Sequence, residues 1–311
     1  MAIYNIGSLI KRRRKQKGLT QDELALNVID RASLSKIESG SITPNKKTIE
    51  TLLQKLGYDP NNLIDFFLND DESEVQKAID KLDAVLFNET AHGNLDERVK
   101  EAESLITLHE GNEKFMENKL NLQYVLLKKA IVAVFTKSTD APLQMLMDAI
   151  KISIPKYNDK DIEDYHLSSQ EARIINLTAK VYFDSGHKDD AINLLSGLKS
   201  NFDKHCIDKQ AMGTLYPSVV YNLAAFLCKV GRFEECIKAC DNAIEVCKQT
   251  EYYRTMPLIV GYKADCLRNL GAKEEHERLV KQVFYSSDML GMFGQRELAR
   301  EEAEKYGILQ L

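Results

Sequence analysis

Several kinds of chemistry are missing from this sequence, and each absence removes a class of function. The six cysteines include no Cys-x-x-Cys pair, and no histidine lies close to Cys236, Cys240 and Cys247. A metal site on a shared helix face of those three stays in view, but their use as small packing residues is the stronger reading. There is no glycine-rich phosphate loop, nucleophile elbow or metal-spaced cluster, and the six histidines are scattered, so no catalytic centre and no cofactor are expected. No uninterrupted apolar run has membrane length. The basic run Lys11 to Lys15 follows a short apolar start instead of preceding an apolar core, which does not read as a secretory signal. With cysteines set inside apolar helical patterns, the expected location is a reducing cytoplasm.

What is present is ordinary globular composition: 311 residues, 44% hydrophobic and 29% charged, a length that allows two domains. The net charge of −5 is unevenly spread. Residues up to Leu68 hold eleven Lys/Arg against seven Asp/Glu, leaving 31 against 40 for the rest, so a +4 end precedes a −9 body. Such asymmetry is expected where only one domain touches phosphate.

The basic end carries a helix-turn-helix pattern. Ile6, Leu9 and Ile10 fall at helical spacing, and Lys11, Arg12, Arg13, Arg14, Lys15 and Lys17 fill the remaining positions, which predicts an amphipathic helix with a cationic surface ended by Gly18. Thr20 and Glu23 spell a capping box for a second helix from Gln21, with Leu24 and Val28 facing inward. Asp30 caps a third helix from Arg31 to Ser39, in which Leu34 and Ile37 are the inward pair and Arg31, Ala32, Ser33 and Lys36 point outward. Entering a major groove, such a helix would offer Arg31 and Ser33 to bases and Lys36 to a base or a phosphate, while Gln21 at the second helix's N-terminus and Lys46 and Lys47 at the start of the fourth would meet phosphates. A fifth helix is expected to carry Leu63, Ile64, Phe66 and Phe67. The expected domains are 1–69 and 70–311.

Beyond that boundary strand signals are almost absent, and helical segments alternate with short polar turns. The pattern Ala-x-x-aromatic-or-Leu-x-x-x-Gly recurs as Ala179, Tyr182, Gly186; as Ala224, Leu227, Gly231; and as Ala264, Leu267, Gly271, with Ala191 or Cys236 following the first two. This resembles tetratricopeptide repeats, although the intervals of 45 and 40 residues exceed the usual 34. Less regular pairs are expected over 74–108 and 115–154. The predicted fold class is therefore all-α: a five-helix phage-repressor-type head followed by a tetratricopeptide-like right-handed α-solenoid. The first helices of such pairs line a concave surface suited to an extended peptide. Asn176 and Asn222 sit there one turn before packing alanines and can bond a ligand backbone, while Arg173 and Lys180 flank Asn176 on the same face and could bind a carboxylate.

Taken together, these features resemble the RRNPP family of peptide-pheromone-sensing transcription regulators of Gram-positive bacteria, in particular its PlcR type. The residues that carry the resemblance are Gly18-Leu19-Thr20-Gln21, Ile37-Glu38-Ser39-Gly40, Tyr221-Asn222-x-Ala224, Arg232-Phe233-Glu234-Glu235, Ala243-Ile244-Glu245 and Cys266-Leu267-Arg268-x-Leu270. The resemblance implies a homodimer with two DNA-binding heads, reset for two operator half-sites by a re-imported short peptide in the concave groove. It also implies that Asn176 and Asn222 are ligand-contacting asparagines. The segment Asn88-Glu89-Thr90-Ala91-His92 is not basic where that type carries lysines, and Leu258 replaces a polar residue, so the peptide should be less acidic. The alternatives are a helix-turn-helix repressor whose repeats serve only dimerisation or a protein partner, and a phosphatase-like helical scaffold.

Overall fold

The computed structural model describes residues 6–58, 70–87, 95–137, 142–206 and 209–308, and the described elements are helices and turns without a strand. The expected helix over Leu63 to Phe67 and the segment Asn88 to His92 lie outside the described residues. The chain forms two compact units, Met1–Lys81 and Leu82–Leu311, dividing inside a helix that begins at Asp70.

The first unit contains α1 (Ile6–Gln16), α2 (Gln21–Ala25), α3 (Arg31–Glu38) and α4 (Lys46–Lys55). Each start has a local cause. Thr20 Oγ1 accepts from the Glu23 amide at 3.2 Å while Glu23 returns to the Thr20 amide at 2.6 Å. The Asp30 carboxylate accepts from the Ser33 amide at 2.8 Å, and Asn45 accepts from the Thr48 amide at 2.9 Å. Each cap satisfies a helix-end donor that would otherwise lack a partner, a gain of about 1 kcal/mol. The helices close over Leu9, Ile10, Leu24, Leu34, Ile37, Leu52, Leu53 and Leu56, with Val28 packed against this core.

The cationic surface expected of α1 is narrower than its composition suggests, because Arg13 and Arg14 are buried. Arg13 reaches Gln16 at 3.0 Å and lies over the Tyr58 ring, while Arg14 turns into the unit to meet Glu38. Lys11, Lys15 and Lys17 remain exposed.

α5 (Asp70–Phe87) crosses the division between the units. The second unit continues with α6 (Leu95–Glu110), α7 (Glu113–Met116), α8 (Lys119–Phe135), α9 (Pro142–Ser153), a 3-10 turn at Asp159–Asp164, α10 (Ser169–Asp184), α11 (Lys188–His205), α12 (Lys209–Lys229), α13 (Phe233–Thr250), α14 (Met256–Asn269), α15 (Lys273–Met289) and α16 (Phe293–Lys305). Each helix from α8 onward packs against the next, and α8, α10, α12, α14 and α16 also pack in series with one another. The alternate helices α9, α11, α13 and α15 lack comparable mutual packing. A stack whose one layer is the more tightly spaced curves toward that layer, which makes the α8–α10–α12–α14–α16 face the concave one.

The repeat residues do the packing expected of them. Ala179, Ala191, Ala224, Cys236, Ala243 and Ala264 are buried, and Cys236 Sγ comes within 3.4 Å of the Ala224 carbonyl oxygen. Gly231, with φ of +79°, turns the chain from α12 into α13; its amide bonds to the Cys228 carbonyl at 3.1 Å and the Arg232 amide to the Leu227 carbonyl at 2.9 Å. Gly186 and Gly271 repeat this left-handed turn. α12 alone among the described helices has the length and composition of a membrane span, with a mean hydropathy of 1.3, and 61% of that window is buried. Its apolar residues face α10, α11, α13 and α14.

Candidate functional site

Two sets of side chains stand apart from packing, one on each unit. In the first unit, α3 presents Arg31, Ala32, Ser35 and Lys36 to solvent, spaced one and four residues apart and hence on one stripe. Arg31 is 66% exposed and lies 3.7 Å from Asp22, an ion pair too open to hold it firmly. Lys46 is 91% exposed and Lys47 is exposed beside it, both in the first turn of α4. Ser33 turns away from the outward stripe assigned to it: it is half-buried and its hydroxyl donates to Asp30 at 2.7 Å. Ser35 occupies the stripe instead. Its spacing of four from Arg31 is the signal that could have found it.

Behind this stripe lies a buried bridge not legible from spacing. Arg14 donates to the Glu38 carboxylate through Nε at 2.6 Å and Nη2 at 3.0 Å, and its Nη1 donates to the Leu19 carbonyl at 2.7 Å. Gln21 Nε2 adds a third donor to Glu38 at 2.9 Å. Burial disfavours ionised Glu38, but the bonds from Arg14 and Gln21 and the charges of Arg14 and Lys11 outweigh it, so the carboxyl titrates below the ordinary range. The bridge fixes the end of α3 against α1 and α2. It also orients Gln21, leaving that residue one amide hydrogen and its carbonyl for an outside partner.

In the second unit the structure brings Asn176 on α10 and Asn222 on α12 together, with Asn222 Nδ2 donating to Asn176 Oδ1 at 2.9 Å. This bond spends one donor and one acceptor. Asn176 keeps its amide hydrogens and Asn222 its carbonyl, both held in fixed orientation on the concave layer. Arg173 is exposed on the same helix face, one turn before Asn176. Lys180 is held by Asp184 at 3.0 Å, so its charge is partly answered from within its own helix.

Lys128, on the neighbouring α8, escaped sequence reasoning because its surroundings read as apolar core. Its side chain is 2% exposed, 2.6 Å from Asp83 of α5 and over the Tyr124 ring, whose hydroxyl donates to the same carboxylate at 2.9 Å. Burial lowers its pKa, Asp83 opposes that, and the charge of Arg173 adds to the lowering.

Further along the concave layer, a cavity of about 430 Å³ opens between α12, α14 and α16. Leu258, the position noted as apolar in the sequence, lines it together with Tyr221, the neighbour of Asn222. The cysteines do not line it. Cys236 and Cys240 are buried with their sulfurs 4.0 Å apart, and neighbouring thiols together with burial raise the pKa of Cys236 far above its ordinary value.

Residues 10–63 match the family described as Helix-turn-helix. No match to a curated protein is found. Among solved structures, PlcR of Bacillus thuringiensis in complex with the peptide PapR7 and DNA is similar with a TM-score of 0.65 and 20% identity, over 95% of this chain and 98% of that one. ComR of S. thermophilus in complex with DNA and its signalling peptide ComS gives 0.54 and 16%, over 97% and 99%. The SHP pheromone receptor Rgg2 of Streptococcus dysgalactiae gives 0.51 and 14%, over 96% and 99%. The chain thus carries a DNA-binding helix-turn-helix domain on a helical-repeat body and has, along nearly its whole length, the fold shared by PlcR, ComR and Rgg2.

Proposed function

We propose that this protein is a non-enzymatic transcription regulator of the RRNPP type, a cytoplasmic homodimer whose DNA binding is switched by a short linear peptide in the concave groove of its repeats. The head supplies readout: Arg31 and Lys36 reach base edges, with Ser35 beside them on the exposed stripe, while Gln21, Lys46 and Lys47 engage phosphate. The groove supplies control through Arg173, Asn176, Lys180 and Asn222.

The observation that carries the peptide reading is the Asn222–Asn176 bond. Two polar side chains on successive inner helices are pre-oriented there, each with unused capacity for a backbone amide. A peptide that binds two arrangements of the body unequally shifts the equilibrium between them, and a tenfold change in operator affinity needs about 1.4 kcal/mol of such coupling.

The test is titration of the full-length protein, on its best duplex selected from random DNA, with synthetic peptides encoded by the small open reading frames adjacent to its gene. At least one peptide is expected to change duplex affinity, and Asn222→Ala should abolish that change while leaving peptide-free binding intact. A variant that responds like wild type would remove Asn222 from the site. Absence of any change in affinity or melting temperature with every peptide would favour a repressor whose repeats serve only dimerisation or a protein partner.

A further inference from the structure

The second helix of the head is too short to hold itself. α2 runs for 5 residues, whereas a helix needs about 12 to 15 to persist unaided in water. The Thr20–Glu23 capping box fixes its start, but its end is irregular. The Leu26 amide still bonds to the Asp22 carbonyl at 3.0 Å, while Leu26 itself leaves the helical conformation. Asn27 then takes a left-handed one, with φ of +60°, at a cost that glycine alone escapes. The Val28 and Ile29 amides both turn back to the Ala25 carbonyl, at 2.9 and 3.1 Å.

The Leu24 and Leu26 carbonyls at this end are met from another helix. Lys55, the last residue of α4, donates through Nζ to the Leu24 carbonyl at 3.3 Å and also to the Leu26 carbonyl. An ammonium there answers two carbonyls and the negative end of the helix dipole together. Leu24 packs in one core with Leu52, Leu53 and Leu56, so the stem of Lys55 starts from a helix already fixed against α2. The backbone it grips leads directly to the helix assigned to base readout. Leu26 to Ile29 join α2 to Asp30, whose carboxylate caps α3 immediately before Arg31. The shape of Leu26 and Asn27 therefore sets where α3 begins and how it is inclined to α2.

We infer that Lys55 is a positioning residue for DNA recognition: its ammonium holds the turn between α2 and α3 in the shape that aims Arg31 and Lys36, without touching DNA. The inference rests on the reading of α3 as the helix that meets base edges. An exposed lysine in a basic head is ordinarily a phosphate contact, but Lys55 stands at the opposite end of α4 from Lys46 and Lys47, and its ammonium is engaged with backbone. Its loss should act on discrimination. Loosening α3 misplaces base contacts, whereas the number of neutralised phosphates, which sets the attraction common to all DNA, stays the same.

The test measures affinity of the full-length protein for its best duplex selected from random DNA and for random duplexes, at several salt concentrations, with melting followed in parallel. Lys55→Met keeps the apolar stem and removes the donor. It is expected to lower the ratio of selected to random affinity about tenfold, with the salt slope unchanged. Lys55→Arg, which keeps a cation able to donate to carbonyls, should stay within about threefold of the wild-type ratio. A loss in Lys55→Met shared equally by both classes of duplex overturns the inference. With a slope reduced by about one it makes Lys55 a phosphate contact; with the slope unchanged and melting lowered it makes the substitution a plain loss of folded head, since an unfolded head binds neither class. A wild-type ratio in Lys55→Met, or a fall in Lys55→Arg as large as in Lys55→Met, overturns it as well. Arg31→Ala in the same assay separates the two readings: if it lowers the ratio and Lys55→Met does not, only the role of Lys55 falls, and if neither lowers it, the base-reading role of α3 falls too.

Discussion

Glu38 is an acid inside a basic segment, and its environment explains both its burial and the orientation of its neighbours. Its folded-state pKa is depressed, so its contribution to stability is fully present above the ordinary value of 4.5 and is lost as pH falls through the folded-state value. Removing it would strand the buried guanidinium of Arg14, a loss of about 3 to 5 kcal/mol. The exposed residues behave differently, because their loss leaves nothing buried and unpaired. Arg31→Ala is expected to cost roughly 1 to 3 kcal/mol on the best duplex and to relax base preference, whereas Lys46→Ala should weaken all duplexes alike and reduce the salt slope by about one. Binding measured on selected and random duplexes at several salt concentrations checks this; equal losses on both for both variants would sink the assignment. The residue types and spacing made the exposure of Arg31 and Lys36 legible. Ser33 and Gln21 were legible only as polar positions, since the Asp30 cap and the Glu38 bridge decide which of their atoms remain free.

At the scale of the element, caps and turns were the most readable features, because each depends on residues within a few positions of one another. Thr20 with Glu23, Asp30 with Ser33, and the repeat glycines all stand where local rules place them. Gly231 allows a sharp test. Its φ of +79° disfavours any side chain, yet an added Cβ would meet nothing within 4 Å, so Gly231→Ala carries backbone strain without a clash. The expected cost is about 1 to 2 kcal/mol in urea unfolding of the body, with Gly231→Asn losing less. Equal stability of Gly231→Ala and wild type would mean that the turn does not hold the left-handed conformation. The link between the end of α5 and α6 was less readable. Arg98 ties them by donating to the Val85 and Leu86 carbonyls at 2.9 and 3.2 Å, a contact that no period in the sequence announces.

For the whole molecule, two compact units with separate cores imply separable unfolding. Calorimetry of the full chain should show two transitions, one lowered by Glu38→Gln and by acidification below about pH 4.5, the other lowered by Gly231→Ala. A single transition displaced by both substitutions would contradict independent units. For the regulation proposed above, one ion pair offers a physical route: Asp83, on the helix in which the division between the units falls, is paired with Lys128 on the first inner helix of the stack. The charge of Arg173 already acts on Lys128, so a carboxylate arriving at Arg173 would alter that pair's field.

The sequence by itself determined the helical class, the basic head with its caps, the glycine turns and the candidate asparagines. Those features follow from local spacing, helix-end chemistry and composition, which act over a few residues. Only the tertiary structure decided that Arg14 leaves the cationic surface for Glu38, that Asn176 and Asn222 meet across 46 positions of chain, and that Asp265, Glu301 and Glu302 share one cavity with two tyrosines. Side chains distant in sequence acquire partners only when packed helices bring their faces together, and burial then decides which charges must be answered from inside.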